Sequence, residues 1–181
     1  MEGRRLVVSA TQIEAAHVPA GTDLLITGVG KVAAASAVAA GLASCPGHYR
    51  EVVGIGSAGG LRDGLGGIYL PSTVLNHDIS SDALARMGCA TEDSLALDDG
   101  DGTVLATGDL FVADPTVRSR LALRAHLVDM EGFAVAWACR QAGVTCRLVK
   151  HVSDNADATS MQWPELVGRS AVALGEWLIA H

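Results

Sequence analysis

Aromatic residues are scarce: Phe, Trp and Tyr make up 4% of the 181 residues. Ala, Val and Leu must therefore fill the core, which suits closely packed helix and sheet layers. Basic residues are few, 13 against 20 acidic ones, for a net charge of −7. No Lys/Arg cluster occurs, so the electrostatic footprint of a nucleic-acid binder is missing and a polyanionic partner is disfavoured. The four cysteines, Cys45, Cys89, Cys139 and Cys146, form no C-x-x-C pair, which speaks against a zinc or redox motif. Cys139 and Cys146 lie in apolar or strand-like stretches, so buried thiols in a reducing cytoplasm are expected. The histidines form no ligand cluster, and neither a metal nor a cofactor is expected. No apolar run reaches the roughly 18 residues that would span a bilayer. The opening MEGRRLVVSA lacks the apolar stretch of a secretory signal. Repeats and low-complexity segments are absent as well.

What is present is apolar: 49% hydrophobic residues, 18% charged residues and 21 glycines. A single domain spanning residues 1–181 is expected, long enough to bury about 70% of its unfolded surface. Short apolar runs at 6–9, 24–27, 52–55, 68–75, 104–107, 127–129 and 146–152 read as strands. Helical patterns cover 31–43, 130–142 and 163–180, with Gly143 where a C-terminal cap belongs. The runs are continuous rather than alternating, as in strands buried on both faces. Interleaved with helices, they predict an α/β three-layer sandwich, a central mixed β-sheet flanked by helices. Residues 80–101 read as an irregular surface loop.

Ligands of such folds bind beyond the carboxyl ends of the strands, so the polar residues there carry the interest. Val152-Ser153-Asp154 runs an apolar strand into a carboxylate. Asp154 suits either a turn start or a general acid whose surroundings tune its proton affinity. Asp129-Met130-Glu131-Gly132 suits a helix N-terminus, but a carboxylate there can also accept two hydrogen bonds from a cis-diol. Gly54-Ile55-Gly56-Ser57-Ala58-Gly59-Gly60 reads as a glycine-rich turn after its strand, where backbone can approach a ligand. Gly28-Val29-Gly30-Lys31-Val32-Ala33 fits the dinucleotide pattern G-x-G-x-x-A, which tempts an oxidoreductase reading. Glu51, the acid at about the right distance, precedes its strand rather than ending it, so the match reads as a decoy.

In order along the chain, G-V-G-K-V-A-A-A, G-S-A-G-G-L, D-M-E-G and V-S-D-N-A-D resemble the nucleoside phosphorylase superfamily, nearest its 5′-methylthioadenosine/S-adenosylhomocysteine nucleosidase branch. The resemblance implies a hydrolase of purine nucleosides in methionine salvage, working as a cytoplasmic homodimer without cofactor. It implies that Asp154 protonates purine N7 with Ser153 holding it, and that Glu14 activates water. Glu131 would hold the ribose diol, with Met130 against the sugar. Phe111 would stack on the purine and the Val112 backbone read its edge. Ser57, Ala58 and Gly59 would lie near water and ribose, and Trp163 over the 5′ substituent. A futalosine hydrolase and a purine nucleoside phosphorylase are the alternatives, and a non-catalytic nucleoside-binding protein is the rival outside catalysis. The turn 9–14 lacks the glycines and arginines of a phosphate site. A carboxylate about 4 Å from a phosphate costs roughly 4 kcal/mol per charge pair at an effective dielectric of about 20, which favours water. The segments around 17–23 and 80–104 are shorter than the family's, and Lys150 stands where an arginine is common.

Overall fold

A computed structural model describes residues 4–181, side chains at 158 and 159 excepted. Its centre is a nine-stranded mixed sheet. Strand β3 (Tyr49–Gly60) is the hub. It pairs in parallel with β1 (Arg4–Ser9) on one edge and with β9 (Thr145–Asp154) on the other. Beyond β1 lies β2 (Asp23–Ile26), and beyond β9 lies the short antiparallel β4 (Gly67–Tyr69). Near its end β3 acquires a second neighbour on the β1 side, the antiparallel β8 (Leu127–Asp129). From β8 the sheet continues through β7 (Val104–Thr107), β5 (Thr73–Asn76) and β6 (Ser94–Ala96).

The continuous apolar runs follow from burial on both faces. Leu6 and Val8 join one core with Val52 and Leu148, while Val7 joins another with Val53 and Val149. Helices α1 (Lys31–Ser44) and α4 (Gly132–Ala142) cover the first face. Ala34, Val38 and Leu42 of α1, spaced by four, form its buried stripe. Gly143 ends α4 in the left-handed region at φ 67°, its N–H reaching the Arg140 carbonyl at 3.1 Å. Helix α5 (Trp163–Ala180) covers the second face through Leu174 and Trp177. This is the expected three-layer arrangement.

Several boundaries differ from the sequence reading. The glycine-rich segment after Ile55 is not a turn: it is the second half of β3. Its residues are small because neighbours pack on the backbone; a Cβ at Gly59 would stand 2.9 Å from the Ala156 Cβ. The run 68–75 is interrupted around Pro71 into β4 and β5, as the proline within it leads one to expect. Residues 80–101 are not a bare loop: they contain α2 (Ser81–Arg86) and β6, pinned by buried Leu95. Helix α3 (Pro115–Ala122) escaped the reading, although Asp114-Pro115 is a start signal. Asp114 accepts the Thr116 and Val117 N–H groups at 2.7 and 3.2 Å. Helix α4 begins at Gly132, two residues later than expected, leaving Met130 and Glu131 free of its regular backbone.

Candidate active site

On one edge of β3 the pairing with β1 stops at Ile55, and the pairing with β8 starts at Gly59. Strands β1 and β8 run in opposite senses along that edge, so their carboxyl ends point toward each other across Gly56–Ala58. The backbone groups there lack a strand partner and must find another. Glu14, in the turn after β1, supplies one: its Oε1 accepts the Ser57 N–H and the Ser57 hydroxyl, each at 2.8 Å. Its Oε2 accepts the Thr11 hydroxyl at 2.9 Å. Glu14 is 5% exposed, a buried carboxylate held by three donors.

Asp154 ends β9 on the other side of β3. Register slips there, with Ala58 opposite Val152 but Gly59 opposite Asp154, so the bulge turns both Ser153 and Asp154 into the cleft. Ser153 donates to Asp154 Oδ2 at 2.7 Å. Oδ1 accepts the Ala156 N–H at 2.8 Å and the Ser160 hydroxyl at 2.5 Å. Ala156 adopts a left-handed backbone at φ 51°, uncommon without glycine, to complete this turn.

Glu131 follows β8. Its Oε1 accepts the Gly30 N–H at 2.8 Å, so the G-x-G segment between β2 and α1 serves a carboxylate of the protein itself. Burial raises the Glu131 pKa to about 7; Asp129 adds to the rise and Lys150 opposes it. Beneath lies a buried ion pair, Lys150 Nζ to Asp129 Oδ2 at 2.9 Å. Asp129 also accepts the Thr107 hydroxyl at 2.6 Å and the Gly132 N–H at 2.9 Å. Burial alone would lower the Lys150 pKa, but Asp129 and Glu131 outweigh it and hold the value above that of an ordinary lysine. Glu51, the acid of the decoy pattern, lies at the far end of β3, paired with Arg5 at 2.8 Å.

The carboxylates of Glu14, Glu131 and Asp154 line one cleft of about 220 Å³. Glu14, Ser57, Ala58 and Gly59 form one wall, and Met130, Glu131, Ser153 and Asp154 another. Phe111, Val112 and Trp163 close it. The residues to which the family resemblance gave a catalytic or binding role thus all meet here. Phe111 stands at the rim, 45% exposed, whereas Val112 is buried. The Trp163 indole N–H donates to the Ser57 hydroxyl at 2.8 Å. The sequence reading missed Asp129 as the partner of Lys150, Thr11 and Thr107 as donors to carboxylates, and Ser160 on Asp154. Thr11 sits three residues before Glu14, a local signal. Asp129 and Thr107 pair over long sequence distances and had none, and Ser160, although only six residues beyond Asp154, belongs to no pattern that marks it.

A mixed sheet between helical layers, with carboxylates converging beside a break in strand pairing, defines a nucleoside phosphorylase-like fold. A structure of a Helicobacter pylori 5′-methylthioadenosine nucleosidase mutant with 5′-methylthioadenosine in its active site superposes with a TM-score of 0.87 at 20% identity, covering 99% of this chain and 98% of that one. Futalosine hydrolase of Helicobacter pylori superposes at 0.84 and 19% identity, over 97% and 95% of the two chains. The Phosphorylase superfamily profile matches residues 100–172. A 5′-methylthioadenosine/S-adenosylhomocysteine nucleosidase of a Shewanella species is 32% identical over 169 residues, 78% of this chain and 72% of that protein. An aminodeoxyfutalosine nucleosidase of Helicobacter pylori is 36% identical over 102 residues, 55% of this chain but only 43% of that protein. The chain belongs to the phosphorylase superfamily, on its 5′-methylthioadenosine/S-adenosylhomocysteine nucleosidase branch.

Proposed function

We propose that this chain hydrolyses the N-glycosidic bond of an adenine nucleoside with a 5′-thio substituent, 5′-methylthioadenosine or S-adenosylhomocysteine. The observation that carries the reading is the meeting of Glu14, Glu131 and Asp154 in one cleft, each held by different donors. Cleavage through an oxocarbenium-like state needs an acid on the leaving group and a base on the water. Asp154 delivers a proton to purine N7, the C1′–N9 bond breaks, and the base leaves neutral. Glu14 orients water toward C1′ and takes its proton. Glu131 accepts hydrogen bonds from the ribose diol, with Met130 against the sugar. Phe111 and Val112 contact the purine, and Trp163 covers the 5′ side. Glu14 stands where a phosphate nucleophile would meet like charge, which favours hydrolysis over phosphorolysis. A homodimer, with residues 1–181 acting as one domain, completes the proposal.

The Helicobacter aminodeoxyfutalosine nucleosidase favours a second reading, in which the substrate is a futalosine-type nucleoside. Incubation with methylthioadenosine in phosphate-free buffer, following free adenine by chromatography, tests the first reading. Adenine from the wild type and none from Asp154→Asn is the expected result. Release from futalosine-type nucleosides alone would transfer the assignment to the second reading, and a requirement for phosphate would overturn hydrolysis.

A further inference from the structure

One short segment reaches both carboxylates of the proposed acid–base pair, one directly and the other through Ser57. A 3₁₀ turn (Ala158–Gln162) follows β9 and leads into α5. From it Ser160, itself 1% exposed, donates its hydroxyl proton to Asp154 Oδ1. Directly after it, the Trp163 indole donates to Ser57 Oγ at 2.8 Å, and that hydroxyl donates to Glu14 Oε1 at 2.8 Å.

A serine hydroxyl has one proton and accepts through its lone pairs. An indole N–H only donates. Once the indole occupies Ser57 Oγ as acceptor, that oxygen's one proton is left for Glu14. The donor direction of the chain Trp163 to Ser57 to Glu14 is therefore fixed without freedom to reverse. Phenylalanine in the same place would cover the cleft but leave the Ser57 hydroxyl free to rotate.

Resting on the hydrolytic reading, we propose that Trp163 and Ser160 are positioning residues of the reaction, carried on one strap that orients the water-activating carboxylate at one end and the proton donor at the other. Trp163 is then more than a wall of the 5′ pocket: its nitrogen, through Ser57, sets Glu14. The strap makes the two halves of the acid–base pair depend on the docking of a single turn.

Two measurements test this, one independent of turnover. In ¹⁵N-labelled protein the Trp163 indole N–H resonance, assigned by its loss in Trp163→Phe, should move in Ser57→Ala and in Glu14→Gln, and stay in place in Asp154→Asn. A resonance that ignores both Ser57→Ala and Glu14→Gln overturns the chain, whatever the substrate proves to be. In the nucleosidase assay, Trp163→Phe should lower kcat roughly three- to tenfold, the range of one neutral hydrogen bond, with KM nearly unchanged. Combined with Ser57→Ala it should cost no more than Ser57→Ala alone, because both remove the same link. Combined with Ser160→Ala the losses should multiply, because each acts on a different carboxylate. A loss in Trp163→Phe that falls on KM alone, or that multiplies with Ser57→Ala, reduces Trp163 to a pocket wall and overturns the proposal. If the wild type releases no base from any nucleoside, the functional reading falls while the resonance still decides the wiring.

Discussion

Glu131 is caught between burial, which favours its proton, and the proposed role of holding a diol, which needs its charge. Its pKa of about 7 lies well above the ordinary value, because burial and Asp129 outweigh Lys150. In the unfolded chain the group titrates near 4.5. Between the two values the folded state holds a proton that the unfolded state has lost, so stability is fullest below about 4.5 and declines as pH rises toward 7. Glu131→Gln should flatten that slope and raise Tm at pH 8; an unchanged pH dependence of Tm would contradict the assignment. Ligand binding runs the other way. In the proposed reaction it is the ionised carboxylate that accepts both ribose hydroxyls, so affinity for a nucleoside should strengthen as pH rises through 7, and calorimetry across pH 6–8 measures it. Lys150 gives a second residue-scale prediction. Lys150→Met leaves Asp129 buried and unpaired and should destabilise by about 3–5 kcal/mol. Adding Asp129→Leu should recover part of that loss in urea unfolding, since the stranded charge is then gone.

At the scale of elements, the small residues of β3 and the turn after β9 must be considered together. A Cβ at Gly59 would meet the Ala156 Cβ at 2.9 Å and its Cα at 3.3 Å. Gly59→Ala should push the turn that carries Asp154 away from β3, lowering kcat more than it lowers Tm. Equal effects on both would locate the cost in packing alone. The strand runs and the long helices were legible because burial on both faces writes continuous apolar segments, as in Val52–Val53 and Leu148–Val149. The second half of β3 was not legible. Gly56-Ser57-Ala58-Gly59-Gly60 has turn composition, and it is extended only because β9, β8 and Ala156 lie against it. The candidate carboxylates were readable from their places after apolar runs and from the family's motifs. The partners that hold them were not: nothing near Lys150 in the sequence names Asp129, and nothing near Asp154 names Ser160 rather than its neighbours.

Across the whole molecule, apolar side chains crowd the mouth of the cleft. Val29, Leu110 and Phe111 line it at 57%, 54% and 45% exposure. Ile13, one residue before Glu14, is 53% exposed. Such a rim is costly to leave in water, consistent with the proposed homodimer. Light scattering should return about twice the 18.6 kDa of one chain, and a monomeric mass would refute the dimer. No helix among the described residues is long and apolar enough to cross a membrane. The opening beside Gly56–Ala58 has a further consequence. A side chain, rather than a strand, answers the backbone there, so replacing Glu14 breaks no ladder bond of the sheet but leaves the Ser57 N–H without its acceptor, at a cost of about 1–3 kcal/mol. Under the proposed reading, a change of attacking species therefore needs a new residue in one short turn that still accepts the Ser57 N–H, while the strand ladders on either side keep their register.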